Sequence, residues 1–377
     1  MANMIDYLAW RGDLPMAPGQ LNQVDGVLLA RLAYLPFEHV FLPGVERISI
    51  GRAAEQLLSL PEIGSLLLIP SDRTLLEALK ESPRFREMEL SGSVNQLDGE
   101  TQTQFSAITI RLNEKERYVS FRGTDNTLIG WKEDLNMCFV CPVPAQVLAV
   151  QYLAETARLY PEDLIPGGHS KGGNLAVYAA AFCPEAVQER IPGVFNFDGP
   201  GFDGKVLSTA GYRRICDRVS TFVPQSSVVG MLLGHEEKYT IVHSQQSGLM
   251  QHDVYSWDVL RDHFACLETV NSSSRFIDYT LKAWLGSLDY AQREKCIDAV
   301  YSALIQTNAT TLREFNENWF SNMLSVLRNM KNLDEETRHL VVQTFLLLVK
   351  SARAGLSRIW QAEGPEEGGI TPMQEHT

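Results

Sequence analysis

Ser170 stands at the centre of Gly168-His169-Ser170-Lys171-Gly172, inside the run Gly-Gly-His-Ser-Lys-Gly-Gly at 167–173. A serine flanked by glycines at this spacing suits a nucleophile carried on a tight strand-to-helix turn. The glycines let backbone neighbours approach a strained serine without a Cβ clash. Such a turn lifts the hydroxyl clear of the sheet and aims the first helical N–H groups at a reacting carbonyl. The chemistry is acyl transfer. The pentapeptide also arises by chance, so the groups around it decide.

A serine nucleophile needs a base within hydrogen-bond reach, an acid to orient that base, and donors for the oxyanion. On strand–turn–helix sites the acid and then the histidine follow the serine in chain order. His235, His243, His252, His263 and His339 all follow Ser170. His252, in Gln251-His252-Asp253 shortly after an apolar run, is the expected base. His243 falls on that run and reads as a core or edge residue. His235 sits beside Glu236 and Glu237 and reads as a solvated turn.

Asp198 is the leading acid, because it ends the run Val194–Phe197 ahead of Gly199-Pro200-Gly201. Strand-end carboxylates beside turn glycines are good site candidates, although an Asx-turn is the plain alternative. Asp203 and Asp253 are the fallbacks, and an unaided Ser–His pair is the remaining case. For the oxyanion, the backbone N–H of Lys171 follows the nucleophile, its side chain being expected at the surface. The second donor is expected from Thr124, where Phe121-Arg122-Gly123-Thr124-Asp125 leaves a strand through a glycine turn. Arg122 and Asp125 would otherwise form a simple turn ion pair. Trp131 and Asp134 follow as candidate walls of the acyl site.

Elements must position these residues. Residues 1–100 read as mainly helical, with clear helical segments at 24–35 and 72–80, the latter capped at Ser71-Asp72. Residues 105–112 and 118–121 alternate apolar with polar around Asn113–Glu116 and read as a β-hairpin. A helix over 145–160 leads to Leu164-Ile165, the serine turn, and a helix over 173–182. Apolar runs at 193–197, 218–223 and 238–243 suit buried parallel strands. Strands alternating with helices imply a parallel sheet covered on both faces. After 268 the spacing is helical, at 275–286, 290–306, 311–329 and 334–360, and 363–377 reads as disordered.

The bulk numbers narrow the partners. A chain of 377 residues, 45% hydrophobic and 21% charged, is of ordinary globular composition. A formal net charge of -13 argues against nucleic acid and anionic membrane surfaces. The first 25 residues hold no signal-like apolar run, and 345–349 is too short to span a bilayer. The expectation is a cytoplasmic protein. Cys138 and Cys141 make a lone C-x-x-C with no second pair, so reduced thiols are expected rather than a metal site.

Taken together, Tyr118–Thr124, Gly130-Trp131-x-x-Asp134 and Gly-His-Ser-x-Gly-Gly resemble the class 3 (fungal-type) lipases. More closely, the chain resembles a bacterial family of lipase-like α/β-hydrolases related to them. Asp6-Tyr7-Leu8-x-Trp10-Arg11-Gly12-Asp13, Gly-Trp-Lys-Glu-Asp at 130–134, 167–174, Val223–Ser227 and Gln251-His252-Asp253 with Ser256-Trp257 carry that resemblance. It covers about residues 3–300, and it implies the α/β-hydrolase fold, Ser170 as nucleophile, Thr124 and Lys171 as oxyanion donors and His252 as base.

Two departures stand out. Class 3 lipases carry the acid after the strand matching 218–223, where this chain has Gln225-Ser226-Ser227. The turn at 197–202 is instead similar to the acid-bearing turn of pancreatic-type lipases, one strand earlier, which favours Asp198. Pro166 interrupts the strand that enters the elbow, which suggests a short strand there.

The expectation is therefore an α/β-hydrolase core over 101–267. A mainly helical segment (1–100) packs on it, followed by a C-terminal helical region (268–360) and a tail (361–377). The function read here is a serine esterase or lipase-like hydrolase acting on a small-molecule or lipid ester, with no metal or organic cofactor. The alternatives are a hydrolase-fold interaction or sensing protein, and a thioesterase or amidase. The residues after 268 read as a lid, a dimer surface or plain structural support, the last two being favoured, so a homo-oligomer through the C-terminal helices is one of the open readings.

Overall fold

The computed structural model of the protein describes residues 2–101, 103–125, 133, 136–137 and 140–268. Beyond these it describes Gln292, Lys295, Glu335 and His339, each helical. The segments expected at 275–360 and the tail at 361–377 otherwise lie outside the described residues, as do Trp131, Asp134 and Cys138.

A nine-stranded mixed sheet organises the rest. Its strands are β1 (Arg47–Ser49), β2 (Glu89–Asp98), β3 (Thr103–Arg111), β4 (Glu116–Phe121), β5 (Asp163–His169), β6 (Val194–Phe197), β7 (Val219–Pro224), β8 (Tyr239–Val242) and, after the short pair β9 (Val259–Leu260) and β10 (His263–Phe264), β11 (Cys266–Leu267). The order is β1-β2-β3-β4-β5-β6-β7-β8-β11. β1 to β4 pair antiparallel, β4 to β8 pair parallel, and β11 closes the edge antiparallel. This is the α/β-hydrolase fold, as expected.

Two cores follow from the period-two alternation of strand side chains. On β4 and β5, Tyr118 and Ile165 face one core while Val119, Phe121 and Leu164 face the other. The first is covered by α1 (Met4–Arg11), α2 (Gln23–Leu32), α3 (Ile50–Ser59), α4 (Ile63–Leu66) and α5 (Ser71–Glu81). The second is covered by α6 (Pro144–Leu159) and α7 (Lys171–Phe182). The sheet is thus sandwiched between helices, and the N-terminal helices form one of its two layers.

Sequence and structure differ at three places here. β2 lies within the segment read as mainly helical. Its sequence ELSGSVNQLD is polar and broken by Gly92 at φ +62, with a register shift between Ser91 and Val94, so no strand period was legible. Asp72, read as part of a helix cap, is fully buried and, besides accepting from the Ile69 N–H ahead of α5, is held by Arg31 and Tyr255. Pro166, expected to shorten its strand, sits inside the seven-residue β5. Leu164 donates its N–H to Arg190 on the β6 side, and alternation puts the absent Pro166 N–H on that same side. Pairing with β6 begins only at Gly167, so no ladder bond is lost there. Among the described residues no helix is long and apolar enough to cross a membrane.

Candidate active site

Ser170 follows β5 and precedes α7 with φ 59 and ψ −134, a region that side-chain-bearing residues rarely occupy. The turn is held by the Ser170 N–H donating to the Phe197 carbonyl at 2.9 Å. A Cβ on Gly168 would come within 2.3 Å of the Gly172 backbone, and one on Gly172 within 2.1 Å of the Phe121 carbonyl. The flanking glycines are thus required by the close packing of α7 on β4 and β5.

Asp198 lies one strand over, directly after β6, and it too has positive φ (52). Its N–H donates to the Phe222 carbonyl, and its carboxylate is buried. Oδ2 stands 2.6 Å from His252 Nδ1, while Oδ1 accepts from Ser227 Oγ and from the Gly230 N–H. Ser227 belongs to the Gln225-Ser226-Ser227 segment after β7. That segment holds no carboxylate and instead supplies a hydroxyl to the carboxylate after β6. Asp203 and Asp253 accept from the Val206 and Tyr255 N–H groups, respectively, as local caps, away from His252 Nδ1.

His252 ends a short 3₁₀ turn (Gly248–His252) after β8. The turn is fixed at Gln251, whose Oε1 accepts from the Ser226 N–H and whose carbonyl accepts from the Trp257 indole. The His252 carbonyl lies 2.8 Å from His169 Nε2. A carbonyl can only accept, so that nitrogen carries a proton. Burial, then the nearby His252 and Arg31, push the His169 pKa well below its ordinary value, which leaves the ring neutral. The two imidazoles lie 4.5 Å apart between centroids, tilted by 37°. Among the described residues, no hydrogen bond joins the Ser170 hydroxyl to His252.

The Tyr34 hydroxyl ties the elbow to the loop after β4. It donates to the His169 carbonyl at 3.0 Å and accepts from the Gly123 N–H at 3.0 Å. Arg31 lies over the Tyr34 ring at 4.2 Å and makes a two-bond contact with Asp72, which also accepts from Tyr255. Burial opposes the Arg31 charge, yet the Asp72 charge and hydrogen bonds outweigh it and raise the Arg31 pKa. This network joins α2 and α5 to the segment carrying His252. Burial, as the largest influence, raises the pKa of the neighbouring Asp253 carboxyl.

Lys171 departs from expectation. Its side chain is 1% exposed and not at the surface. Its Nζ donates to Glu133 Oε2 (2.9 Å), the Gln104 carbonyl (2.9 Å) and Gln104 Oε1 (2.7 Å). Glu133 in turn accepts from the Gln104 and Ala145 N–H groups. The reason is location: the first residue of α7 points its side chain under the loop that follows β4, where a buried carboxylate awaits it. Gln104 and Glu133 carried no sequence signal of their own. Glu133 lies within the Gly-Trp-Lys-Glu-Asp run at 130–134, but nothing in that run points to a buried partner until Lys171 is known to be buried.

Thr124 is partly buried on the loop after β4, between Arg122 and Asp125, which do pair at 3.4 Å. Beside it opens a cleft lined in part by Tyr34, Pro36, Leu66, Leu68, Leu97 and Arg122. The other histidines are engaged elsewhere. His243, just past β8, pairs with the buried Asp258 at 2.6 Å, and His263 pairs with Asp262 at the surface. His235, read as solvated, is largely buried and contacts Glu237 Oε1 and the Gly230 carbonyl, each at 2.8 Å. Burial opposes the Glu237 charge, but His235, Tyr212 and Thr221 prevail and lower its pKa to about 2.

Comparison with known proteins gives the following. No curated protein matches the chain. Among solved structures, the chain is similar to a mutant form of MDLA from Penicillium cyclopium, at 14% identity and a TM-score of 0.36, covering 65% of this chain and 84% of that one. It is also similar to M37 lipase, at 14% identity and a TM-score of 0.34, covering 55% and 68% of the two chains. The Mbeg1-like family model matches residues 79–302, which is most of the chain and runs from the end of α5 past the last described strand. The chain belongs to the Mbeg1-like family, a lipase-like family.

Proposed function

We propose that the protein is a serine hydrolase that cleaves carboxylic esters through an acyl-enzyme on Ser170. The observation that carries this reading is the His252 Nδ1–Asp198 Oδ2 contact of 2.6 Å, made at the end of the strand next to a serine with φ 59. With Asp198 on Nδ1, the free Nε2 is the lone pair that a general base requires.

Ser170 Oγ attacks the acyl carbon and His252 Nε2 takes its proton. The carbonyl oxygen becomes an oxyanion held by the N–H groups of Lys171 and Thr124. His252 gives the proton to the departing alkoxide, leaving the acyl ester on Ser170. Water then attacks that ester, His252 accepts its proton and returns it to Ser170, and the carboxylic acid leaves. Membership of a lipase-like family agrees with this class of substrate.

Ser170→Ala is expected to abolish turnover of a short-chain nitrophenyl ester while thermal unfolding stays cooperative. Undiminished turnover in that variant would overturn the reading. One observation favours a second reading, a hydrolase fold kept for interaction or sensing. It is the lack, among the described residues, of a hydrogen bond between Ser170 and His252. That bond commonly tightens only when substrate is bound, and a wild-type protein inert to every acyl ester tried would favour the second reading.

A further inference from the structure

Lys171 has two roles that meet at one point, and this inference rests on the reading of Ser170 given above. Its backbone opens α7, so its N–H has no partner within that helix. Its buried Nζ holds Gln104 through two bonds, to the carbonyl and to Oε1. The Gln104 N–H is fixed on Glu133. With every other polar atom engaged, Gln104 presents its remaining group, Nε2, to the Gly123 carbonyl at 3.4 Å.

The Gly123–Thr124 peptide is thereby oriented. In a trans peptide the C=O and the following N–H point in opposite directions. Gln104 is the second residue of β3, and β4 lies between β3 and β5 in the sheet. A Gly123 carbonyl turned toward the β3 side therefore directs the Thr124 N–H toward the β5 side, where Ser170 stands. The two are close: a Cβ built on Gly123 would lie 3.0 Å from the Ser170 Cβ. The Tyr34 hydroxyl fixes the preceding peptide by accepting from the Gly123 N–H.

We infer that Gln104 is a positioning residue for the oxyanion hole, held by the Lys171–Glu133 ion pair and aiming the Thr124 N–H at the reacting oxygen. One buried lysine thus couples both proposed donors: it contributes the first from its backbone and sets the second through Gln104. Gln104 touches neither substrate nor Ser170. Its effect falls on the step in which negative charge develops, rather than on binding.

The test uses the full chain with Gln104→Met and Gln104→Glu, both close in volume to glutamine. Gln104→Glu keeps an acceptor for Lys171 but has no donor for the Gly123 carbonyl. Removing one oxyanion donor outright costs about 10²–10³ in kcat, so a mis-aimed donor is expected to cost about 10–100-fold. The expected result in both variants is that loss in kcat with KM within about twofold of wild type. Fluorophosphonate labelling should slow in parallel yet reach the same final fraction, a pattern that a merely misfolded population does not give.

A kcat within twofold of wild type in either variant overturns the inference, as does restoration of activity by Gln104→Glu. If Gln104→Met does not fold, Gln104→Glu alone decides by the same criteria. A wild-type Ser170 that never reacts with the probe overturns the esterase reading and this inference together. Labelling of Ser170 with unaffected Gln104 variants overturns only the inference.

Discussion

The Ser227 hydroxyl donates to Asp198 Oδ1 at 2.5 Å, on the side of the carboxylate away from His252. A second donor, the Gly230 N–H, reaches the same oxygen at 3.1 Å. The carboxylate is therefore aimed from behind: both donors fix the oxygen that does not touch the imidazole. His235 holds the Gly230 carbonyl and is itself anchored on Glu237, so a chain of buried groups runs from Glu237 to His252.

Ser227→Ala removes one of these two donors and keeps the other. It is expected to lower kcat by about 3–10-fold, only part of the roughly 1.5–3 kcal/mol of a hydrogen bond to a charged group, because the Gly230 N–H still holds the same oxygen. Asp198→Asn takes away the group that orients His252 and should cost orders of magnitude more. Steady-state kinetics on one ester with both variants checks the ranking. An Asp198→Asn enzyme as active as Ser227→Ala would contradict it.

Ser170 holds a backbone conformation costing about 1–3 kcal/mol for a residue with a side chain. Ser170→Gly relieves that strain while losing up to about 1 kcal/mol through the freer unfolded chain. The variant is expected to be inactive and at least as stable as wild type in denaturant melts. A clear loss of stability would show that the turn is not strained.

Lys171→Met leaves Glu133 buried without its cation. Breaking one side of such a pair costs about 3–5 kcal/mol. The melting temperature should fall sharply, whereas a lysine at the surface would leave it nearly unchanged. Lys171→Met together with Glu133→Gln should recover part of the loss, and a double variant no better than the single would argue that the ion pair is not the cause.

Acid should weaken the fold through Glu237. Its carboxyl is lowered from an ordinary 4.5 to about 2, so the associated stability is complete above pH 4.5 and lost as pH falls toward 2. Linkage puts the amount on the order of 3 kcal/mol. His169 acts in the same direction, because its pKa is lowered by burial and protonation below pH 6.5 favours the unfolded chain. Denaturation across pH 7 to 2.5 should show wild-type stability dropping more steeply than that of Glu237→Gln. Parallel profiles would rule out Glu237 as a source.

Much of this arrangement was legible in the sequence because it is local. The hairpin at 105–121, the parallel strands at 194–197, 219–224 and 239–242, and the glycine turn around Ser170 each follow from a run of a few residues with one period. Chain order and strand ends also singled out His252 and Asp198, which the fold brings to within a hydrogen bond. What escaped was long-range pairing of polar groups. Lys171 and Asp72 read as a surface side chain and as part of a cap, yet they are buried by partners 38 and 41 residues away, and His235, read as solvated, is held by Glu237. β2 escaped for the complementary reason, since a polar edge strand with a bulge has no apolar period to read.

If Ser170 is a nucleophile activated by His252, as proposed, it can be captured covalently. Wild-type protein, Ser170→Ala and His252→Ala are treated with a fluorophosphonate, and the adduct is located by intact mass and peptide mapping. One adduct per chain is expected on Ser170 in the wild type, none in Ser170→Ala, and labelling slowed at least about a hundredfold in His252→Ala. An unlabelled wild-type serine, or an adduct that persists in Ser170→Ala, would contradict the proposal.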